Sequence, residues 1–225
     1  MKKTLLAAAA TGLLSPALQA AMVTWQTPSA ITGASDVSTE GAYFGSWAPN
    51  HADAPNFPVN GVSFQGFSDL PDFTNTLEDG GQYYAGQNTA DANYNTLLSF
   101  GRYEYNGVNK SLSWGGMTAG ETYMVQIWIS DPRNLGETRW ANLSGDGDVS
   151  PNVLYPADGT GIGSYIIGTF VADGTGTQTI TIDPSSTSGD GSGQINLMQV
   201  RLVPEPASTG LAGLGMAVLL IRRRR

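Results

Sequence analysis

The 225-residue chain has no cysteine and a single histidine, His51. Without cysteine there is no disulfide framework, no thiol nucleophile and no zinc ribbon, so the fold must be held by its apolar core alone. A Ser-His-Asp triad would have to use His51. That residue sits in the loop-like stretch Asn50-His51-Ala52-Asp53-Ala54-Pro55, and no Gly-x-Ser-x-Gly elbow exists. Positive charge is scarce too. Of eleven Lys and Arg, Lys2, Lys3 and Arg222 to Arg225 lie at the two ends; of nineteen Asp and Glu, only Glu205 does. Five cations against eighteen carboxylates leave the stretch between near −13. Phosphate binding needs clustered Lys and Arg, which excludes nucleic acid as a partner. The same acidity suits solubility and divalent cations, and disfavours an anionic polysaccharide as a direct ligand unless cations bridge the two. Helical periodicity is also missing: no stretch of the body keeps apolar residues at helical spacing for three turns.

What is present reads as strands. Thr122 to Ser130 alternates, with Tyr123, Val125, Ile127 and Ile129 opposite Met124, Gln126, Trp128 and Ser130. Ser164 to Ala172 and Thr177 to Asp183 flank Asp173-Gly174-Thr175-Gly176, which predicts a hairpin. Gln194 to Val203 is the closing strand, and its apolar phase slips between Leu197 and Met198, as a bulge or burial on both faces would produce. Weaker strands are Val23 to Thr27, Ala42 to Trp47, Val59 to Phe67, Lys110 to Trp114 and Thr138 to Leu143; Tyr94 to Tyr103 fits a short helix or a strand. With 29 glycines and repeated Asp-Gly and Asn-Gly turn signals, the expected fold is all-β, a single β-sandwich of the jelly-roll kind. No internal repeat points to a solenoid or propeller.

The two ends follow a different logic. Lys2 and Lys3, the apolar stretch Leu5 to Leu14 and Leu18-Gln19-Ala20 have the order of a secretory signal peptide over 1–20. At the other end, Pro204-Glu205-Pro206 precedes a mostly apolar run from Ala207 to Ile221 and then Arg222, Arg223, Arg224 and Arg225. Arginines beside a hydrophobic segment hold that end on the cytoplasmic side of a bilayer. Fifteen helical residues rise roughly 22 Å, short of the roughly 30 Å that a spanning helix crosses. Glycines 210, 213 and 215 weaken the segment further, which suits a processing signal better than a permanent anchor.

In order, these four parts resemble the PEP-CTERM sorting signal of Gram-negative bacteria. The resemblance implies recognition by an exosortase in the inner membrane, cutting near Pro204-Glu205-Pro206, transient residence there as a precursor, and release to the cell envelope or outside. It also implies a host that makes exopolysaccharide. The expected division is a signal peptide over 1–20, a sandwich domain over 21–203 and a sorting segment with a short transmembrane helix over 204–225.

A softer resemblance lies in the body. Val59-Asn60-Gly61-Val62-Ser63-Phe64, Gly120 to Trp128 with Asp131-Pro132-Arg133, and Gly168 to Asp173 with Gln178 to Ile182 and Gln194-Ile195-Asn196 look like the galactose-binding-like jelly rolls. That group includes many carbohydrate-binding modules, in which long loops and one sheet edge make the ligand site and a structural calcium is frequent.

Candidate chemistry is sparse. Glu78, Asp79, Glu104, Glu121 and Glu137 could supply a carboxylate pair for glycoside hydrolysis, but most stand in polar, turn-like settings. Asp146-Gly147-Asp148 resembles a fragment of a calcium loop. An EF-hand is excluded, because Pro151 falls where glycine is needed and Ala157 where the bidentate glutamate belongs; a looser structural calcium site would use Asp146, Asp148, Asp158 or Asp190. Gly159 to Gly163 lacks the spacing and the following helix of a phosphate loop. Sugar rings stack on exposed aromatic faces, and the candidates outside the clear core pattern are Trp47, Tyr83, Tyr84, Trp114 and Trp140. Trp140 has Arg139 beside it, with Asp131 and Arg133 close in sequence. Trp128, opposite the Val125–Ile129 face of its strand, fits second-face core of the sandwich or an exposed platform, with the core reading preferred.

Two functions fit. One is a non-catalytic exported protein that binds glycan or neighbouring surfaces, without a cofactor beyond a structural calcium. The other is a small secreted glycoside hydrolase or polysaccharide lyase on the same fold.

Overall fold

The computed structural model describes residues 21–49, 56–65, 68–83, 87–104, 107–158, 161–187 and 192–204. Eight strands longer than two residues build its two main sheets: β1 Ala42–Trp47, β2 Lys110–Trp114, β3 Thr122–Ser130, β4 Asn134–Gly145, β5 Val153–Asp158, β6 Gly163–Val171, β7 Gln178–Ser186 and β8 Leu197–Val203. The first sheet runs β1-β8-β3-β6 and the second β2-β7-β4-β5, with every neighbouring pair antiparallel. This interleaving of strands 1, 8, 3 and 6 against 2, 7, 4 and 5 is the double Greek key of a jelly roll, as expected. Two-residue strands lengthen the sheets: Thr24–Trp25 and Ser29–Ala30 pair with β6, Thr74–Asn75 with β2, and Asp148–Val149 with β4.

The period-two pattern does the work of layering. On β7, Gln178, Ile180, Ile182 and Pro184 are buried while Thr179 and Asp183 are exposed. Ile180 and Ile182 meet Val125, Ile127, Ile166 and Phe170 of the first sheet in the main core. A second core covers the other face of that sheet, where Trp128 and Leu197 pack with Phe57, Val59, Phe64, Tyr94, Leu97 and Leu98. β3 and most of β8 are therefore buried on both faces, which accounts for the phase slip between Leu197 and Met198. Trp128 meets Phe64 edge-on at 6.3 Å, the second-face packing expected of it.

That second layer is a helix and a hairpin. Helix α1, Ala92–Ser99, starts at Asp91, whose Oδ1 accepts from the Tyr94 amide at 2.8 Å, and it runs directly into the strand Phe100–Glu104. Tyr94 to Tyr103 is thus both elements in succession. The expected strand Val59 to Phe67 is instead a tight hairpin, Phe57–Val59 against Val62–Phe64. Asn60 and Gly61 both take positive φ, 47° and 74°, the two-residue turn that matches strand twist.

Two further expectations need correction. β6 and β7 do not form a hairpin. The turn is present, with Gly176 N donating to Asp173 O at 3.2 Å, but it carries the chain from the first sheet to the second. Both strands aim their apolar faces at the same interior, so they meet face to face instead of edge to edge. The closing strand is split at Asn196: Gly193–Ile195 pairs with Phe100–Glu104, and β8 begins at Leu197. Asn196 replaces the missing ladder bonds, donating to Leu98 O and Phe100 O at 2.9 Å and accepting from Ser130 N at 2.7 Å.

The topology also gives the sandwich two distinct ends. Thr122 stands between Val171 and Val203, and Thr24 pairs with Thr169 nearby. The chain therefore enters and leaves at one end. Ser130, opposite Gly163, marks the other.

Candidate functional site

The outer faces of the two sheets differ. The first is covered by the second layer, with a row of buried polar side chains beside it. Among the described residues nothing lies over the second. Its outward residues come from the polar phase of each strand, so hydroxyls stand in cross-strand rows. Thr74, Ser113 and Thr179 are in register, as are Ser111, Thr181 and Ser144. Thr179 Oγ1 donates to Ser113 Oγ at 3.0 Å. Neighbouring strands are about 4.8 Å apart and such rows about 7 Å, a flat lattice of donors and acceptors.

One end of that lattice is apolar. Trp140 on β4 is directly opposite Leu154 on β5 and Ser185 on β7. Register partners of an antiparallel pair share a face, so the half-buried indole lies between Leu154, which is 45% exposed, and a hydroxyl. Asn142, two residues on and facing Asp183, donates to Ser150 O and Asn152 Oδ1, both at 3.0 Å. An indole with an aliphatic neighbour and fixed amide and hydroxyl groups can stack on a ring's C–H face and bond its hydroxyls.

The expected polar surround of Trp140 is corrected by strand alternation. Arg139 is adjacent in sequence but on the opposite face, aligned with the buried Tyr155 and Ser186. Its guanidinium joins an ion network at the end of the sandwich remote from the chain exit. Asp131, fully buried, takes a two-point bond from Arg133, Nε to Oδ1 and Nη2 to Oδ2, both at 2.7 Å. Arg139 Nη1 approaches Asp131 Oδ2 at 3.4 Å and also pairs with Glu137. Nearby, Lys110 pairs with the buried Glu104 at 2.7 Å.

The remaining candidates separate. Trp47 and Trp114 are 5% and 0% exposed and belong to the main core, Trp47 tilted on Phe73 at 5.0 Å and Trp114 edge-on to Phe170 at 6.2 Å. Neither offers a face to a ligand. Both lie where a strand's apolar phase points inward, which their polar sequence neighbours obscured. Tyr83 ends the strand Glu78–Tyr83 but its side chain is outside what is described, as are those of Glu78 and Asp79; Tyr84, His51 and Asp190 lie outside the described residues. Asp146 and Asp148 flank Gly147 in the turn after β4, and among the described residues no three His, Asp or Glu side chains converge as a metal site. Leu154 escaped the sequence reading. Its signal is Val153-Leu154-Tyr155, where two inward residues force the third outward.

Beyond β8 the chain leaves the sandwich and reaches Pro204. Residues 202–225 match the model of the PEP-CTERM protein-sorting motif. The chain carries a PEP-CTERM sorting signal. The signal makes it an exported protein whose tail is recognised by an exosortase at the membrane. No helix among the described residues is long and apolar enough to cross a membrane, and the apolar run of the PEP-CTERM segment lies outside them.

No curated protein matches the chain. Among solved structures, Bacteroides uniformis β-glucuronidase 2 aligns over 71% of this chain and 18% of its own, at 15% identity and TM-score 0.40. The ANX2 ectodomain from Arabidopsis thaliana aligns over 73% and 50%, at 14% identity and TM-score 0.44. CBM35 from Cellvibrio japonicus Abf62 aligns over 59% and 94%, at 14% identity and TM-score 0.36. The chain thus spans under a fifth of the first and half of the second, and likeness at this level says nothing of ligand or activity.

Proposed function

We propose that this PEP-CTERM protein is a non-catalytic glycan-binding protein of the cell envelope or extracellular matrix, which engages sugar through the outer face of its second sheet. The observation that carries the reading is the pairing of half-buried Trp140 with exposed Leu154 beside rows of ordered hydroxyls. The reading needs no cofactor, since side chains supply both the stacking surface and the hydrogen bonds. Because the tail leaves from one end of the sandwich, a precursor held at the membrane presents its sheet faces and far loops outward. Of the described candidate carboxylates, Glu104 and Glu137 are each tied to a cation and Glu121 is exposed to solvent, which supports binding over the general acid chemistry that a hydrolase requires.

The test uses the full chain, solubilised in a detergent without a sugar headgroup, on immobilised neutral polysaccharides. Binding that falls at least tenfold in Trp140→Ala, with no sugar released, is the expected result. Turnover on any polymer would establish the hydrolase or lyase reading instead.

A further inference from the structure

A cavity of about 360 Å³ opens between the Phe57–Phe64 hairpin and the outer face of β1 and β8. That volume falls at the low end for small-molecule sites. Its lining includes Thr39, Tyr43, Val62, Ser63, Gln65 and Arg201. Arg201 is unusual in this acidic domain. It is 7% exposed and none of its hydrogen bonds is to a carboxylate. Nε donates to Glu40 O at 2.8 Å, and Nη2 donates to Thr39 O at 3.2 Å and Gly41 O at 2.7 Å. Neutral carbonyls hold the side chain in place without neutralising it, and among the described residues nothing accepts from Nη1. A buried guanidinium without a counter-ion is costly; burial also draws its pKa down from the usual arginine value.

The other walls suit a sugar. Tyr43 is 40% exposed, and its hydroxyl is fixed by Ser46 Oγ and Asp69 Oδ2, both at 2.8 Å, so the ring is held as a platform. The Asp69 carboxylate is engaged there and by the Ser46 amide. Thr39, Ser63 and Gln65 add hydroxyl and amide groups at the rim.

We propose that this cavity binds the carboxylate of an acidic sugar residue, with Arg201 Nη1 donating to it and the Tyr43 ring under the sugar. One free edge nitrogen suits a single carboxylate oxygen, whereas a polyanion meets the surrounding negative surface. The inference rests on the preceding reading only in taking the ligand to be a glycan. Trp140 and Arg201 stand on the outer faces of opposite sheets, so the two sites fail independently.

The test is calorimetric titration of the same detergent-solubilised full chain with glucuronate and galacturonate against glucose and galactose. The acids are expected to bind at least tenfold more tightly than the neutral sugars. Gln65→Glu and Ser63→Asp, which place a negative charge at the rim without touching the buried arginine, should each weaken acid binding at least tenfold. Trp140→Ala should leave it unchanged. Equal binding of acid and neutral sugars, or indifference to both rim variants, overturns the proposal. Inorganic phosphate binding as tightly as the uronates would make the cavity a general anion site and overturn the sugar assignment. Uronate binding that persists when polymer binding by the Trp140 face has failed would refute only the earlier reading.

Discussion

Gln126 and Gln199 stand directly opposite each other on β3 and β8, and Gln199 Nε2 donates to Gln126 Oε1 at 2.8 Å. Both are fully buried beneath the segment 36–38. Gln126 donates to Asp36 O at 2.6 Å and accepts from Ser38 N at 3.0 Å, while Gln199 also donates to Ser38 O at 3.1 Å. With Arg201 two residues further on, this row bonds the N-terminal segment to the sheet through its backbone.

Gln199→Leu removes two of those bonds and takes the side-chain donor from Ser38 O, while Gln126 Oε1 keeps the Ser38 amide. Leaving a buried polar group unsatisfied costs about 1–3 kcal/mol, so a loss of about 2 kcal/mol is expected. At this chain length that corresponds to about 4–8 °C in Tm. Thermal unfolding followed by circular dichroism measures it. A change under about 0.5 kcal/mol, the ordinary surface range, would show that the row is not structural.

Gly176 closes the crossover between the sheets. Its φ is 62°, and a Cβ there would sit 2.4 Å from Met117 O. Backbone strain of about 1–3 kcal/mol in this region adds to that contact, so Gly176→Ala should cost about 3 kcal/mol. Urea unfolding should show a lower midpoint with an unchanged m-value. A stable variant would mean that the turn rearranges freely.

That crossover also marks the limit of the sequence. Thr122 to Ser130 and Thr177 to Asp183 announce themselves by alternation, because each has a face against the core. Alternation does not say which sheet a strand joins: a short turn serves an edge-to-edge hairpin and a face-to-face corner equally. The same ambiguity hid the site. Trp47, Trp114 and Trp140 all have polar neighbours, and only register shows that the first two point inward and the third outward. Arg139 was misplaced for the converse reason, since adjacency along a strand means opposite faces. Arg201 gave no signal, because its partners are carbonyls supplied by residues 39–41, some 160 positions earlier.

Tyr94 makes the fold sensitive to alkali. Burial, reinforced by the negative charge of Asp36, pushes its pKa well above the ordinary value. An unfolded tyrosine loses its proton near pH 10, whereas the folded one keeps it. Above that pH the folded state binds more protons, so this contribution is complete below about pH 10 and is lost as pH rises further. The urea midpoint should fall between pH 9 and 11, and Tyr94→Phe should flatten the fall. An equal slope in both proteins would remove Tyr94 as the cause.

Asp131→Asn separates the ion network from the Trp140 face. The variant keeps the shape of the side chain but removes the charge that Arg133 and Arg139 share. Arg133 is 32% exposed and turns to water, which screens the loss, so the expected cost is about 2 kcal/mol, within the range for hydrogen bonds to charged groups. Because Arg139 and Trp140 face opposite ways, polysaccharide affinity should stay within twofold of the parent when measured well below the melting temperature. A large drop in affinity at unchanged Tm would join the two after all.

The tail carries the last prediction. Four arginines end the chain beyond a short apolar run. Positive charge beside an apolar segment favours the cytoplasmic side of a bilayer, so these arginines are expected to hold their end there and leave Pro204-Glu205-Pro206 on the other side. Replacing Arg222 to Arg225 by serine removes that charge. The run from Ala207 to Ile221 is fifteen residues with glycines at 210, 213 and 215, short for a spanning helix, so its orientation is expected to depend on the flanking charge. The precursor should then accumulate mis-oriented or leave the cell with its tail attached, which immunoblotting of membrane and medium fractions against a tag placed before Pro204 would reveal as a band of uncut size. Processing at the parent rate would mean that the exosortase reads the motif without help from charge, and the orientation argument would fail.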